Sequence, residues 1–599
     1  MLRRIELIRF AIENVITFRI GWDVPKRGSA RCQSMRTYVL LLAFAAAGTA
    51  LASTSLPVLH AVDALGRETP LCGRGAPALR TDKERLVGLF YFLRFGNQWR
   101  GAPRDISKIL AANPKAAYSP DDPAWGKIGY PHHWGEPLYG YYYSDDEWVV
   151  RHHMKLLMQA DVDFLFFDAT NGFAYERSGK TLMRVLQDYH DQGWKIPKVM
   201  FYTNPNNHPG TVQKLYETYY RPGFAPDTWF RLDGKPVIAA NADFCSPETR
   251  EFFTIVKSQW PNRARKPGAW PWIDFTRPQR LYPGEEVARS VMNVSVAQHP
   301  QLRFGDSAMY GETGNRGRAF HDGANDPAPD AWKKGFNFAE QFEHAIRTDP
   351  DIVLVTGWNE WIAGRWKGKP HRPILFVDCA NGEYSRDLEM MRGGYFDNYY
   401  LQLVDYVRRY KGVAEVPENP ESDSGEAVAA TYPCFRDGGF ARDAPGSGTN
   451  YVNRTQRNVP VQIKVRHTAA ELEFDIATLD PIRLDGGEPL SVYLNLDGRA
   501  GYQFAIRRGA DGRVRLVRSK RRDETLDFES DGVALPDELD GRRFAVRVPR
   551  TALGLAEGKP FTVFFKVADA TEPYRQVADF YDLGCAAPLG RLNFIYRAR

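Results

Sequence analysis

Between residues 86 and 378 the chain carries eight short apolar segments of strand character, at 87–93, 162–167, 198–202, 236–240, 269–273, 291–296, 352–355 and 374–377. Stretches with helical spacing fill most of the gaps, at 146–160, 181–192, 248–259 and 338–347, and a further helix-like segment at 385–411 follows the last strand. A run such as Phe164-Leu165-Phe166-Phe167 is apolar at every position and not at alternate ones, which marks a strand covered on both faces. Strands of that kind alternating with helices make a parallel α/β fold, and eight of them over about 300 residues predict a (β/α)8 barrel. No Gly-x-Gly-x-x-Gly follows the first strand, so a dinucleotide-binding sheet is not indicated.

The texture changes after residue 412. Residues 412–447 are rich in Pro, Glu, Asp, Gly and Ser, as a linker is. From about residue 450 short alternating segments appear at 461–465, 472–476, 490–494, 502–506, 514–517, 543–548 and 561–567, separated by turns such as Asp497-Gly498 and Asp511-Gly512. That is the pattern of an antiparallel β-sandwich. All fourteen tryptophans lie at or before Trp366, so this last region has none. It is a structural module or a carbohydrate-binding one, in which case Tyr493, Tyr502, Tyr574 or Tyr581 would supply the flat surfaces. The expected organisation is an N-terminal extension and signal peptide over 1–52, a lead-in over 53–84, the barrel over 85–412, a linker over 413–449 and the sandwich over 450–599.

Hydrophobic residues at 43% and charged residues at 25% describe an ordinary soluble globular protein. Residues 1–52 hold eight Lys or Arg against three Asp or Glu, leaving 71 against 70 in the rest, so the net charge of +6 gives no basic face for nucleic acid. Met35-Arg36, an apolar stretch over 39–51 and Ala50-Leu51-Ala52 have the form of a signal peptide cleaved before Ser53. Translation is expected to start at Met35. The apolar stretch is short for a membrane span, so the mature chain is expected in the periplasm or outside the cell, with no membrane association beyond the signal segment. Five cysteines would remain, and Cys434 with Cys585 is the expected disulfide, the alternative being two buried thiols.

In a barrel the chemistry sits at the C-terminal ends of the strands. Asp168 ends the second predicted strand. Tyr202 and Asn204 follow the third, and Asn241 and Asp243 the fourth. Trp272 and Asp274 follow the fifth, Gln298 and His299 the sixth, Glu360 the seventh and Asp378 the eighth. Charged groups at buried strand ends are costly unless paired or put to use. The element Trp358-Asn359-Glu360-Trp361 places a carboxylate between two indoles, which suits sugar chemistry: an acid or base for the glycosidic oxygen and flat faces for pyranose rings. The stretch 124–148 adds a high density of aromatic residues, Trp134 among them. Glu312, Arg316 and Arg318 lie in a Gly-rich loop where they would meet an acidic sugar or solvent. The pairs His132-His133 and His152-His153 do not indicate a metal, because adjacent residues seldom face one ion. No Gly-x-Ser-x-Gly elbow is present.

At Trp358-Asn359-Glu360-Trp361 the chain resembles the glycoside hydrolase family 99 and family 71 group, including bacterial family 99-like relatives. Trp270-Pro271-Trp272-Ile273-Asp274, Tyr384-Ser385-Arg386-Asp387 and Asp397-Asn398-Tyr399-Tyr400 are similar to those relatives, and the likeness covers about residues 85 to 412. The resemblance implies a (β/α)8 barrel that hydrolyses α-linked glycans with a pair of carboxylates. Family 99 has a second Glu three residues after the first, and Ala363 stands there in this chain. The expected function is therefore a secreted glycoside hydrolase acting on a polysaccharide or oligosaccharide. Glu360 would be one catalytic carboxylate and Asp274 or Asp168 the other. Trp358, Asn359, Trp361, Trp272, Tyr91, Tyr202, Asn204, His299, Trp134 and Arg318 would bind substrate, and no cofactor or metal is expected. The alternatives are a glycan-binding protein without catalysis, a polysaccharide lyase and a carbohydrate esterase.

Overall fold

The computed structural model describes residues 54–97, 100–261, 263–285, 287–300, 308–310, 314–377, 379–421, 429–437 and 440–599. The signal segment, Glu312 and Asp378 lie outside them. Eight parallel strands form the central sheet: β1 (Leu86–Tyr91), β2 (Phe164–Ala169), β3 (Lys198–Thr203), β4 (Lys235–Ala240), β5 (Thr254–Gln259), β6 (Ala269–Pro271), β7 (Val291–Ser295) and β8 (Ile352–Thr356). Their order in space is β6-β5-β4-β3-β2-β1-β8-β7, which is the chain order curled round on itself. Every residue of β2 and β8 is buried, as their unbroken apolar runs require.

The sheet is barrel-like and nearly closed. No backbone ladder joins β6 to β7; side-chain hydrogen bonds span the gap, with Gln298 donating to the Asp274 carbonyl at 2.6 Å and Asn293 making the largest set. Asn293 of β7 accepts from the Asp274 amide at 2.9 Å and donates to the Trp272 carbonyl at 3.1 Å, while also reaching the Leu354 carbonyl and the Thr356 hydroxyl of β8, each at 2.9 Å. The side of β7 away from β8 pairs instead with the short antiparallel strand Leu281–Tyr282.

Helices cover only part of this sheet. α1 (Glu147–Gln159) precedes β2, α2 (Glu176–Asp191) follows it, α3 (Phe336–Thr348) precedes β8 and α4 (Asn398–Lys411) closes the barrel region. Short helical turns follow β3 and β4, and among the described residues none separates β5, β6 and β7. The mixed α/β architecture is as expected; the full set of eight covering helices is not seen.

Two expected elements change identity. Residues 248–259, expected as one helix, are a short helix Pro247–Phe252 capped by Ser246 and then strand β5. The β-branched Thr254-Ile255-Val256 carries the change. The expected eighth barrel strand is instead Arg372–Phe376, antiparallel to Ile362–Lys369 in a separate three-stranded sheet with Pro131–His133. The helix expected over 385–411 begins only at Asn398.

The C-terminal region is a sandwich of two antiparallel sheets. One runs Leu59–His60, Asn593–Ala598, Phe561–Ala570, Glu488–Asn495, Phe504–Arg508, Val514–Arg518, Val533–Ala534, and the other Ala430–Pro433, Pro460–His467, Glu471–Thr478, Arg543–Pro549, Asp537–Asp540. Ile463, Phe474, Val492, Val546 and Phe565 are fully buried within its core. Tyr493, Tyr502, Tyr574 and Tyr581, considered as sugar platforms, are at most 4% exposed and pack inside the protein. Cys434 and Cys585 are both free thiols, so the expected disulfide is absent; they line a common interior cavity beside His152 and Lys155. Between Ala430–Pro433 and Pro460–His467 in the chain, Arg442–Gly446 and Thr449–Asn453 form a hairpin of their own.

Candidate active site

An open cavity lies at the C-terminal ends of the barrel strands. Asp168, the penultimate residue of β2, faces it, and so do Asn204 just past β3, Trp272 just past β6 and His299 beyond β7. Glu360 enters from the loop after β8. Arg94, Trp260, His208 and Arg386 complete the polar and aromatic lining.

Glu360 is aimed by its neighbours. The Trp358 amide donates to the Phe90 carbonyl at 2.8 Å, and its indole is fully buried against His153 and Tyr400. Asn359 clamps Phe92, accepting from its amide at 2.8 Å and donating to its carbonyl at 3.2 Å. Trp361 is also fully buried, stacked on Trp134 at 4.5 Å with its indole N–H on the Glu389 carboxylate at 2.5 Å. With three of the four residues anchored below, the Glu360 carboxylate reaches the cavity, its side chain 12% exposed.

Residues 386–389 run alongside and hold this element. Arg386 donates to the Glu360 carboxylate at 2.6 Å and lies over the Trp272 ring at 5.1 Å. Asp387 accepts from the Glu360 amide and, at 2.8 Å, from the Trp134 indole. Burial pushes the Asp387 carboxyl up to about 7, against the opposing pull of Arg318 and of those two hydrogen bonds. Glu389 is wholly buried and collects His153 at 3.0 Å, Tyr142 at 2.8 Å and Trp361.

The floor is aromatic. Trp272 stacks on Phe90 at 5.5 Å with planes 27° apart, and Trp260 lies 6.1 Å from it. Asp168 is buried and accepts from the Thr170 amide at 2.9 Å. β2 and β8 flank β1, so their axes lie about 10 Å apart at ordinary strand spacing. Two carboxylates and a flat indole thus share one water-accessible hollow.

Five of the thirteen expected site residues line this cavity: Glu360, Asp168, Trp272, Asn204 and His299. The other eight do not. Asp274 is buried and stitches a loop, accepting from the Thr276 amide at 3.0 Å and from Arg280 at 3.1 and 3.2 Å. The Tyr202 hydroxyl joins β3 to β5 and β6 through the Gln259 and Trp270 carbonyls. Tyr91 is buried and meets His153 of α1 at 2.9 Å. Arg318 is fully buried, donating to Ser385 and to the Asp387 carbonyl between the rings of Tyr395 and Tyr399. Trp358, Asn359, Trp361 and Trp134 are the anchors already described. Their apolar faces satisfy each other, which a sequence does not reveal.

Arg386, Asp387, Glu389, Arg94, His208 and Trp260 were not foreseen as site residues. Tyr384-Ser385-Arg386-Asp387 carries a signal only as part of a family resemblance, because in the sequence it opens the helix-like segment at 385–411 and does not end a strand. Among the described residues no three His, Cys, Asp or Glu side chains gather so as to hold a metal ion, and no helix is long and apolar enough to cross a membrane.

No family model matches the sequence, and no curated protein matches it. Two solved structures of the GH99 endo-alpha-mannosidase from Bacteroides thetaiotaomicron, one in complex with BIS-TRIS-propane, are similar to this chain at 14% identity. They cover 54% and 55% of this chain and 97% and 98% of theirs, with TM-scores of 0.32 and 0.31. A likeness of that degree assigns no activity.

Proposed function

We propose that the protein is a glycoside hydrolase whose reacting groups are Glu360 and Asp168, acting on an oligosaccharide or polysaccharide. The observation that carries this reading is that the two carboxylates share one open cavity whose floor is the Trp272 indole. Glycosidic hydrolysis requires a proton for the departing oxygen and a negative charge near the oxocarbenium-like centre. An ion pair of 2.6 Å with Arg386 favours a charged Glu360, which suits it to the base or nucleophile. Asp168 then supplies the proton, and Trp272 offers a ring-sized face for the sugar. Asp274 is not needed as the second acid, since its charge is matched by Arg280.

A reading as a glycan-binding protein without catalysis draws on Ala363. That residue pairs with His132 in the small three-stranded sheet, so no carboxylate stands at that position. The two readings separate cleanly on incubation with a panel of plant, algal and bacterial glycans. Hydrolysis predicts released sugars from the wild type and at least a roughly hundredfold loss of turnover in Glu360→Gln and in Asp168→Asn, with binding retained. Turnover near the wild-type level in either variant removes that residue from the mechanism.

A further inference from the structure

We propose that the hairpin Arg442–Gly446 and Thr449–Asn453, inserted between the sandwich strands Ala430–Pro433 and Pro460–His467, is a positioning element for Glu360. Its kinetic consequence rests on the hydrolase reading, while its structural part does not. The hairpin grips the short aromatic loop from Tyr139 to Tyr143. Arg442 donates to the Tyr139 carbonyl at 3.0 Å and pairs with Asp146, the cap of α1, at 2.7 Å. The Tyr141 amide donates to the Tyr451 hydroxyl at 2.7 Å, and the Ser447 amide donates to the Tyr141 carbonyl at 2.8 Å. Tyr142 forms a bridge to Gly446. The fit is close: a Cβ on Gly140, whose φ is +76°, would stand 2.5 Å from the Tyr451 ring.

The loop in turn grips the catalytic element. Tyr142 donates to Glu389 at 2.8 Å and accepts from Asn359 at 3.2 Å. Asn359 precedes Glu360 and fixes Phe92, a wall of the cavity. The hairpin also sets Ser447 into the wall of a second cavity, which shares Arg94 with the first and includes Tyr142 and Tyr143. A path of direct contacts therefore runs from Tyr451 through Tyr141 and Tyr142 to Asn359 and Glu360. Displacement of a reacting group by an ångström is enough to cost a large part of the rate.

The test uses the full chain. Tyr451→Phe deletes the one hydroxyl that receives the Tyr141 amide and changes little else. Expected is a fall in kcat of about fivefold or more with KM within about twofold, because Tyr451 touches no substrate. Tyr142→Phe should give a similar split, and the double variant should lose little beyond the larger single loss, since both act along one path. Additive losses overturn the proposal. Independently of activity, amide hydrogen exchange in a peptide spanning residues 357–361 should quicken about threefold or more in Tyr451→Phe, while that of β3 stays as in the wild type. Unchanged exchange at 357–361 overturns the proposal even if a glycan substrate is found. A Glu360→Gln variant with full turnover strikes the hydrolase reading instead, and leaves the exchange result to decide this one.

Discussion

At Glu360 the direction of one side chain follows from what its neighbours bury. Trp358 and Trp361 were expected as sugar-stacking faces, yet each is fully enclosed, and between them they leave the carboxylate as the part of the element that meets the cavity. The carboxylate was legible in the sequence because a charge just past a buried strand has few other uses. The orientation of the indoles was not, because an aromatic ring beside another ring packs as readily as it binds. Asp387 beneath Glu360 yields a prediction in pH. Its carboxyl titrates near 7 in the folded chain against about 4 when unfolded, so between those values the folded state keeps a proton that the unfolded state has lost. Stability from this group is greatest at low pH and declines as pH rises through 7. Trp134, the Glu360 amide, Arg318 and Glu389 all face it, so a variant at Asp387 itself isolates its share. Relative to Asp387→Asn, the wild type should lose on the order of 2 kcal/mol between pH 5 and pH 8 in denaturant titrations. Parallel curves for the two proteins would refute the assignment.

Among elements, the strands most visible in the sequence were those apolar on both faces, such as β2 and β8. β5 escaped notice because its last residues, Lys257-Ser258-Gln259, look like the polar side of a helix begun at Pro247. The apolar run at 374–377 reads as a barrel strand because it looks the same whichever sheet receives it, and the structure gives it to Arg372–Phe376 of the small sheet. The seam between β6 and β7 is invisible in the sequence, as it depends on buried side chains, Asn293 and Gln298 above all. Asn293→Leu should remove four hydrogen bonds at once and leave the Asp274 amide without its side-chain acceptor. A loss of roughly 3 kcal/mol in chemical denaturation is expected, with weaker substrate binding because Trp272 follows the opened seam. A cost below about 0.5 kcal/mol would mean that the barrel closes without it.

For the whole molecule, the described chain from Thr54 to Arg599 forms one compact unit, and charged groups buried between barrel and sandwich explain why. Asp397, just ahead of α4, receives Arg591 at 2.7 and 3.1 Å and the Tyr581 hydroxyl at 2.8 Å. Gln159 at the end of α1 exchanges two hydrogen bonds with Leu589. Calorimetry should therefore show a single transition. Arg591→Met, which leaves Asp397 buried without its cation, should lower stability by about 3–5 kcal/mol and keep the transition single. Two separate transitions, with only one displaced by the substitution, would show that the sandwich folds on its own account.

The strand Leu59–His60 lies in register against Asn593–Ala598, which places the earliest described strand beside the latest. A ribosome releases the second of these more than five hundred residues after the first. Until then Leu59–His60 lacks its ladder partner, and more than five hundred intervening residues must be looped before the seam can form. This part of the native topology is thus withheld until both strands are available, and the slow step in refolding should be their meeting.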